Sequence, residues 1–251
     1  MCEEQREIDV ALDVALVVME NGGSTVRADR VLINVLKGFG NYNVSTLWRT
    51  DFVAFTTLSD GERSTAFRQI APSAVNLLRV SEATALADKI AKGTTNVTDA
   101  ADEVQRIKTL ASPYNLPITV VAAAITAASF SQFVGGDWGG FGICLVTGAI
   151  GQFVRSRLVA HRLATAPVTL ICAVVSACIA ALGLWAHISA VVPATLIGSV
   201  GYMMPGLPLV NGFIDVGSHK YLSPGVQRIG SAVFLFTLLA IGIAIAASLV
   251  P

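Results

Sequence analysis

The sequence predicts a membrane protein in which a cytoplasmic α+β domain precedes a five-helix transmembrane bundle with a broken fourth helix. Three observations carry this. Charge is segregated: residues 1–113 hold 12 of the 17 Lys/Arg and 15 of the 17 Asp/Glu. Hydrophobic residues make up 53% of the chain and charged residues only 14%, against about 25% charged in an ordinary soluble domain. Apolar runs then cover 117–134, about 138–154, 167–187, 189–212 and 229–250, each near the roughly 17–25 residues a spanning helix needs. One such run suits the core of a soluble protein; five in succession do not. Disorder is excluded too, because it requires low hydrophobicity and high charge. The expected domains are residues 1–113 and 114–251.

In the polar domain, Ile8, Leu12, Ala15 and Met19 recur at helical spacing, and Asn21-Gly22-Gly23 stops that helix. Ser24 caps a second helix, with Val31, Leu32, Val35, Leu36 and Phe39 as its buried stripe and Gly40 at its end. Residues 44–49 and 51–58 are rich in Val, Thr, Phe and Trp and read as strands. Asp60-Gly61 is a two-residue hairpin turn, and 62–70 returns as a third strand. A fourth short strand is expected at 76–80, then a helix at 82–92 capped by Ser81. Thr98 opens a further helix, with Asp99, Asp102 and Glu103 early and Arg106 and Lys108 late. Pro113 and Pro117 bracket the linker.

Orientation follows from Lys and Arg in the short loops. Arg106 and Lys108 precede the first run, Arg155, Arg157 and Arg162 follow the second, and Lys220 and Arg228 follow the fourth. The loops at 135–140 and near His187 carry none. The expectation is a multi-pass protein of the plasma (inner) membrane, with its N-terminus cytoplasmic and its C-terminus external. The opening Met-Cys-Glu-Glu-Gln-Arg-Glu has no signal-peptide core, and Cys2 stands where myristoylation needs glycine. The sequons at Asn43 and Asn96 would not meet the glycosylation enzyme from that side.

Several function classes are disfavoured. No basic tract points to nucleic acid, and net charge is zero. All three histidines, His161, His187 and His219, lie in the apolar half, so the polar domain offers no histidine base and no common zinc site. No Walker motif is present. No cofactor and no metal is expected. Cys2, Cys144, Cys172 and Cys178 form no C-x-x-C pair and read as small hydrophobes.

The candidate functional residues lie where the apolar half departs from a regular helix. The fourth run contains Pro205-Gly206-Leu207-Pro208-Leu209-Val210-Asn211. Two prolines three apart cannot sit inside an unbroken helix, and Pro208 should strip the Met204 carbonyl of its donor. Irregular backbone survives in a bilayer only inside protein or beside a water-filled cavity, where transporters often build their substrate sites. The break is therefore a packing kink or part of a solute path. Asn211 and Asp215 share a face if the helix resumes, and Asp215 is a relay carboxylate or a plain interfacial aspartate. Gln132 and Gln152 are intramembrane polar residues, each a path residue or an interhelical hydrogen bonder. In Gly-Gly-Asp-Trp-Gly-Gly, Gly136 and Asp137 form an outer turn and Trp138 an interfacial anchor. Ala173, Ala177 and Ala181, and Gly242 with Ala246, are small-residue ridges for close packing, within the chain or against a partner.

Taken with Asn21-Gly22-Gly23-Ser24, Gly135-Gly136-Asp137-Trp138 and the Pro-Gly-x-Pro-Leu-x-Asn stretch followed by Asp215, the chain resembles the N-terminal half of the threonine/serine exporter family. Bacterial relatives in that family include a two-subunit succinate exporter. The resemblance spans essentially the whole chain. It implies export of small hydroxy amino acids or dicarboxylates, driven by the proton gradient. It also implies a second small membrane subunit, because fused members carry another hydrophobic half. The positions it carries over are Pro205, Gly206, Pro208, Asn211 and Asp215, then Gly136 and Trp138. The leading expectation is a secondary exporter subunit and not an enzyme. The competing class is a membrane-anchored regulatory or binding protein whose cytoplasmic domain does the work, though such a chain needs only one span. A membrane enzyme lacks clustered acid–base or metal ligands.

Overall fold

The computed structural model describes residues 3–40, 44–59, 62–71 and 75–250. It divides into two units: Met1–Pro113 with Leu207–Gly230, and Tyr114–Gly206 with Ser231–Pro251.

The first unit begins with α1 (Glu3–Glu20) and α2 (Thr25–Phe39). Beyond the expected stripe, α1 also buries Val10, Ala11, Val14, Val17 and Val18. A helix apolar on nearly all sides is a central one. Its end is a Schellman turn: Gly22 takes φ +99°, and the Gly23 amide donates to the Val18 carbonyl at 2.8 Å. A Cβ on Gly23 would lie 2.4 Å from Val18 Cγ1, so only glycine lets the chain turn back this tightly. Ser24 caps α2 as expected, its Oγ accepting from the Arg27 amide at 3.3 Å, and Gly40 closes it.

Strands β1 (Val44–Trp48), β2 (Phe52–Ser59) and β3 (Glu62–Gln69) form an antiparallel sheet in that order. Trp48 pairs with Val53, Thr46 with Phe55, and Phe52 with Gln69. Trp48, Val53 and Phe55 face the core. The expected Asp60-Gly61 turn lies outside the described residues.

The expected strand at 76–80 is a helix. Helix α3 (Leu77–Ala91) starts there, with Ser81 inside it, not at its cap. Asn76 decides this: its Oδ1 accepts the Arg79 amide at 3.4 Å and its Nδ2 donates to the Leu110 carbonyl at 3.3 Å. An amide side chain that caps and bridges at once starts a helix where the short apolar run Asn-Leu-Leu-Arg-Val was expected to be a strand. Helix α4 (Val97–Thr109) is likewise capped earlier than expected, by Asn96, two residues before Thr98.

In the second unit, α5 (Leu116–Phe133), α6 (Trp138–Ala160) and α7 (Thr165–Trp185) are long and apolar enough to cross a bilayer, as is α10 (Leu222–Ala247). Helix α6 runs past its apolar end, so Arg155 and Arg157 lie on helix, not loop; the Arg157 guanidinium sits 5.0 Å from the Phe153 ring centre. The fourth run is not one helix. It comprises α8 (Val192–Ser199), a 3₁₀ turn (Gly201–Met203) and α9 (Gly206–Gly217). Helix α10 starts at Leu222, so Arg228 is a helical residue. Cys144 and Cys172 are buried and Cys178 is half-buried, all as free thiols.

The small-residue ridge on α7 packs within the chain. Ala173 and Ala177 are fully buried, and a Cβ added to Gly242 would lie 2.7 Å from Ala173 Cβ. Backbone-to-backbone approach of this kind replaces hydrophobic driving force between apolar helices. Gly242→Val should therefore push α10 off α7 and cost about 1–3 kcal/mol. The check is the thermal midpoint in detergent; a midpoint equal to the unmodified chain's would place the ridge outside the packing core.

Candidate functional site: a buried carboxylate after a helix break

The break is built by proline placement. Met204 leaves the 3₁₀ turn with extended ψ of 130°, and Pro205 follows. The Met204 carbonyl, expected to lack a donor, instead accepts the Gly206 amide at 2.8 Å. Pro208 falls in the first turn of α9, where an amide has no intrahelical partner to lose, so the helix resumes at Gly206 and runs through Pro208.

Helix α9 then carries Asn211 and Asp215 on one face, and both are buried, at 7% and 0% exposure. Their partners come from the α1–α2 turn. Asn211 Nδ2 donates to the Gly22 carbonyl at 2.8 Å. Asp215 Oδ2 accepts the Thr25 hydroxyl at 2.8 Å, and Oδ1 accepts the Val26 amide at 3.2 Å. These two residues open α2, so the carboxylate sits on free amides at the positive end of a helix.

Arg228 completes the cluster from α10. Its Nη1 donates to the Gly23 carbonyl at 3.0 Å, and its Nη2 lies 3.3 Å from Met19 Sδ. Its Nε is 3.4 Å from Asp215 Oδ2, an ion pair by distance, yet it makes no hydrogen bond. The two charges attract without the bidentate geometry that makes such pairs strong.

One turn along α2 lies a second anchored carboxylate. Asp29 Oδ1 accepts Thr46 Oγ1 and Trp48 Nε1, each at 2.8 Å, while Oδ2 accepts Lys220 Nζ at 2.9 Å and the Tyr221 hydroxyl. Burial pushes the Asp29 carboxyl up, but the donors, Tyr221 first, outweigh it and hold it below the ordinary carboxylate value. The Tyr221 phenol is pushed up to about 12, by burial first and then by Asp29. The α9–α10 turn is thus fastened to α2 at two points.

The other sequence candidates lie in the second unit. Asp137 caps α6 and is more than a turn residue. Its Oδ1 accepts the Gly140 amide at 2.6 Å and the Ser189 hydroxyl at 2.7 Å, and its Oδ2 accepts the Ala190 amide at 2.8 Å. Those bonds, Gly140's first, lower its pKa. Gln132 Nε2 donates to the Asp137 carbonyl at 2.8 Å, so it serves the outer loop. Gly136 donates its amide to the Ser131 carbonyl at 2.8 Å. Trp138 is 78% exposed, edge-on to Phe141, as an interfacial anchor would be. Gln152 is half-buried and makes no side-chain hydrogen bond among the described residues. The structure therefore joins Asn211 with Asp215, and Gln132 with Asp137 and Gly136.

Sequence reasoning missed Thr25, Asp29, Tyr221 and the buried role of Arg228. Arg228 and Lys220 read as loop charges, and Asp29 as one polar residue among many. The one available signal was Arg228 itself, an arginine at the mouth of the apolar run 229–250, where an unpaired charge is costly.

A family model described as a threonine/serine exporter (ThrE) matches residues 9–250. The chain is also similar to the "Probable succinate transporter subunit YjjP" of Klebsiella aerogenes, with 23% identity over 246 residues, covering 97% of this chain and 94% of that one. No solved structure matches it.

Two outcomes follow from the geometry. Asp215→Ala leaves the Arg228 guanidinium buried without its counter-charge and should cost about 3–5 kcal/mol, much of it recovered in Asp215→Ala/Arg228→Met. Urea unfolding of both variants in detergent is the measurement; equal losses would mean the pair is not coupled. Second, Tyr221 should titrate near 12, and Asp29→Asn should lower that value in part only, because burial, the larger cause, remains. A raised folded pKa means the phenol contributes stability that is complete below about 10 and lost as pH rises through the folded value. Asp29 has the opposite sign: its contribution is present above about 3.9 and lost as pH falls through its depressed folded value. Phenolate absorbance, corrected with Tyr221→Phe, reads the first directly, and an unshifted tyrosine would contradict the Asp29 assignment.

Proposed function

Because the chain belongs to the threonine/serine exporter family, we propose that it is one subunit of a secondary active exporter that moves small hydroxy amino acids or dicarboxylates out of the cell. The observation that carries this is the fully buried Asp215, placed after a proline break and balanced by Arg228 and the start of α2. Such a carboxylate has two definable states. Ionised, it attracts Arg228 and accepts the Thr25 hydroxyl and the Val26 amide. Protonated, it loses the charge attraction to both Arg228 and the α2 terminus. The grip of the α1–α2 turn on α9 then weakens, which is how a proton gradient does work on the helix.

The segment Pro205–Asn211 supplies the substrate path in this reading. The free amide in the first turn of α9, at Leu207, lacks an intrahelical acceptor and suits the carboxylate that both substrate classes share. Asn211 keeps Oδ1 available while Nδ2 holds Gly22. The polar domain lies on the cytoplasmic side, where the basic loop residues also fall, and the C-terminus outside. Helices α5, α6, α7 and α10, with the broken α8–α9 segment, give five crossings of the inner membrane. The printed name of the Klebsiella relative, a transporter subunit, supports a second membrane subunit as partner.

Reconstitution with and without that second subunit tests the reading. Threonine, serine or succinate should leave proteoliposomes only when both subunits and a pH gradient are present. Pro205→Ala/Pro208→Ala should abolish efflux while the protein still inserts, and Asn211→Ala should weaken binding a few-fold, about 0.5–1.5 kcal/mol. Asp215→Asn should keep binding and lose the dependence on pH. Gradient-driven efflux that survives Asp215→Asn unchanged would remove the proton role, and absence of efflux for all three solutes would remove the exporter reading.

A further inference from the structure

In the first unit the sheet turns Trp48, Val53 and Phe55 inward, and strand alternation puts Leu47, Arg49, Phe52, Ala54 and Phe67 on the opposite face. The register lines them up. Leu47 stands opposite Ala54, and Ala54 opposite Phe67. One pleat nearer the β1–β2 turn, the Arg49 amide donates to the Phe52 carbonyl at 2.9 Å. Leu47 is 61% and Phe67 66% exposed, and the Phe67 and Phe52 rings lie 6.3 Å apart. Single exposed apolar residues are ordinary on a polar surface, whereas a row of them across three strands marks an interaction face.

Two observations say what covers it. The first is position. Arg49 Nη1 donates to Ser223 Oγ at 3.3 Å, and Thr50 Oγ1 to Gln227 Oε1 at 3.0 Å. Both partners lie in the first turns of α10, ahead of the apolar run 229–250. At 1.5 Å per residue they stand roughly 9 Å and 3 Å before that run. They bracket the headgroup layer, which is about 5–7 Å deep on each side of the hydrocarbon. The β1–β2 turn is thus fastened at the level where a crossing helix enters the bilayer. The second observation is charge. Arg49 makes no ion pair among the described residues; its guanidinium bonds only a neutral hydroxyl, and its Nε is buried without a hydrogen-bond partner. Asp51, two residues on, is exposed and does not pair with it. By contrast Lys220 and Arg228, the cations on either side of Ser223, each have a carboxylate. A buried guanidinium nitrogen without an acceptor is a cost, and a phosphate matches the guanidinium fork.

We propose that the turn end of this sheet docks on the bilayer surface, with Arg49 on the phosphate of an anionic lipid and Leu47, Phe52 and Phe67 set into the interfacial layer. The inference rests on α10 crossing the membrane and is independent of which solute the chain moves. A short apolar row alone is a weak anchor, and so is one cation; together they give the two signals that surface attachment needs. An acidic protein surface would offer Arg49 the same charge, but the place of the turn beside the start of α10 favours lipid. Docking also reaches the second carboxylate anchor. Trp48 lies between Leu47 and Arg49 on β1 and donates to Asp29, so a leaflet that holds β1 steadies the grip of the sheet on α2.

The full chain, with its four cysteines replaced by alanine, is given one bimane label at Leu47→Cys, Val226→Cys or Lys92→Cys. It is reconstituted in vesicles of phosphatidylethanolamine and phosphatidylglycerol, with and without a second subunit, and quenched by lipid that carries a doxyl group near its headgroup. Val226, exposed on α10, reports the entry of that helix, and Lys92, exposed at the end of α3, reports open surface. Quenching at 47 should match that at 226 and exceed that at 92 several-fold. Phosphatidylcholine in place of phosphatidylglycerol, or Arg49→Gln, should lower the docked-to-free ratio about fivefold. Arg49→Lys should keep most of it, and Phe67→Ser should lower it several-fold. Quenching at 226 without quenching at 47 overturns the docking. Shielding of 47 from aqueous iodide only in the presence of the second subunit, without lipid quenching, makes the face a protein interface and overturns it too. Quenching at 47 that ignores both lipid charge and Arg49→Gln overturns the headgroup contact. Absence of lipid quenching at 226 instead refutes the placement of α10 on which the inference rests, whatever 47 shows.

Discussion

The buried Asp215 carboxylate is the constraint around which the first unit is arranged. A negative charge at 0% exposure persists only with compensation, and three elements supply it: Thr25 and Val26 at the start of α2, and Arg228 on α10. Each contributor has its own requirement. The α2 amide is free because it opens a helix, and the helix opens there because Gly22 and Gly23 reverse the chain within two residues of α1. Arg228 reaches back to the Gly23 carbonyl, so the turn that exposes the amide is braced by the cation that balances the charge. Removing Asp215 leaves Arg228 buried without its counter-charge and the Val26 amide and the Thr25 hydroxyl without this acceptor.

The second anchor, at Asp29, differs in kind. Its four donors include a phenol, an indole and a half-exposed ammonium, and they keep the carboxyl ionised well into acid. Asp215 has one hydroxyl, one amide at 3.2 Å and a guanidinium nitrogen that attracts without hydrogen bonding. A fully satisfied carboxylate on α2 thus fixes Lys220 and Tyr221, while a less fully satisfied one on α9 holds the start of α2.

Four of the five expected apolar helices, the proline break and the α1–α2 turn were legible in the sequence because each has a local signature. Charge density falls after Pro113, proline removes a donor wherever it stands, and Gly-Gly before Ser is a stop followed by a cap. The 76–80 segment was misread because a short apolar run does not by itself separate strand from helix, while Asn76 found partners at Arg79 and Leu110 that no window shows together. The Asp215 cluster was half legible. Its carboxylate stood out as one of two acidic residues after residue 113, but Thr25 lies 190 positions away and looks like any hydroxyl near a cap.

Stability alone does not account for this set of residues. A buried ion pair is often replaceable by apolar residues with no loss, and sometimes with a gain. Asp215 and Arg228 lack even the geometry that would make the pair strong. A fold selected only to persist would place leucine and methionine there. Helix α9 follows directly, through Gly206 and Pro205, from the 3₁₀ turn that bears Tyr202. Proline at 205 keeps that turn and α9 from merging into one helix, so Asp215 stands on a short helix of its own, set by the break and not by the length of the apolar run.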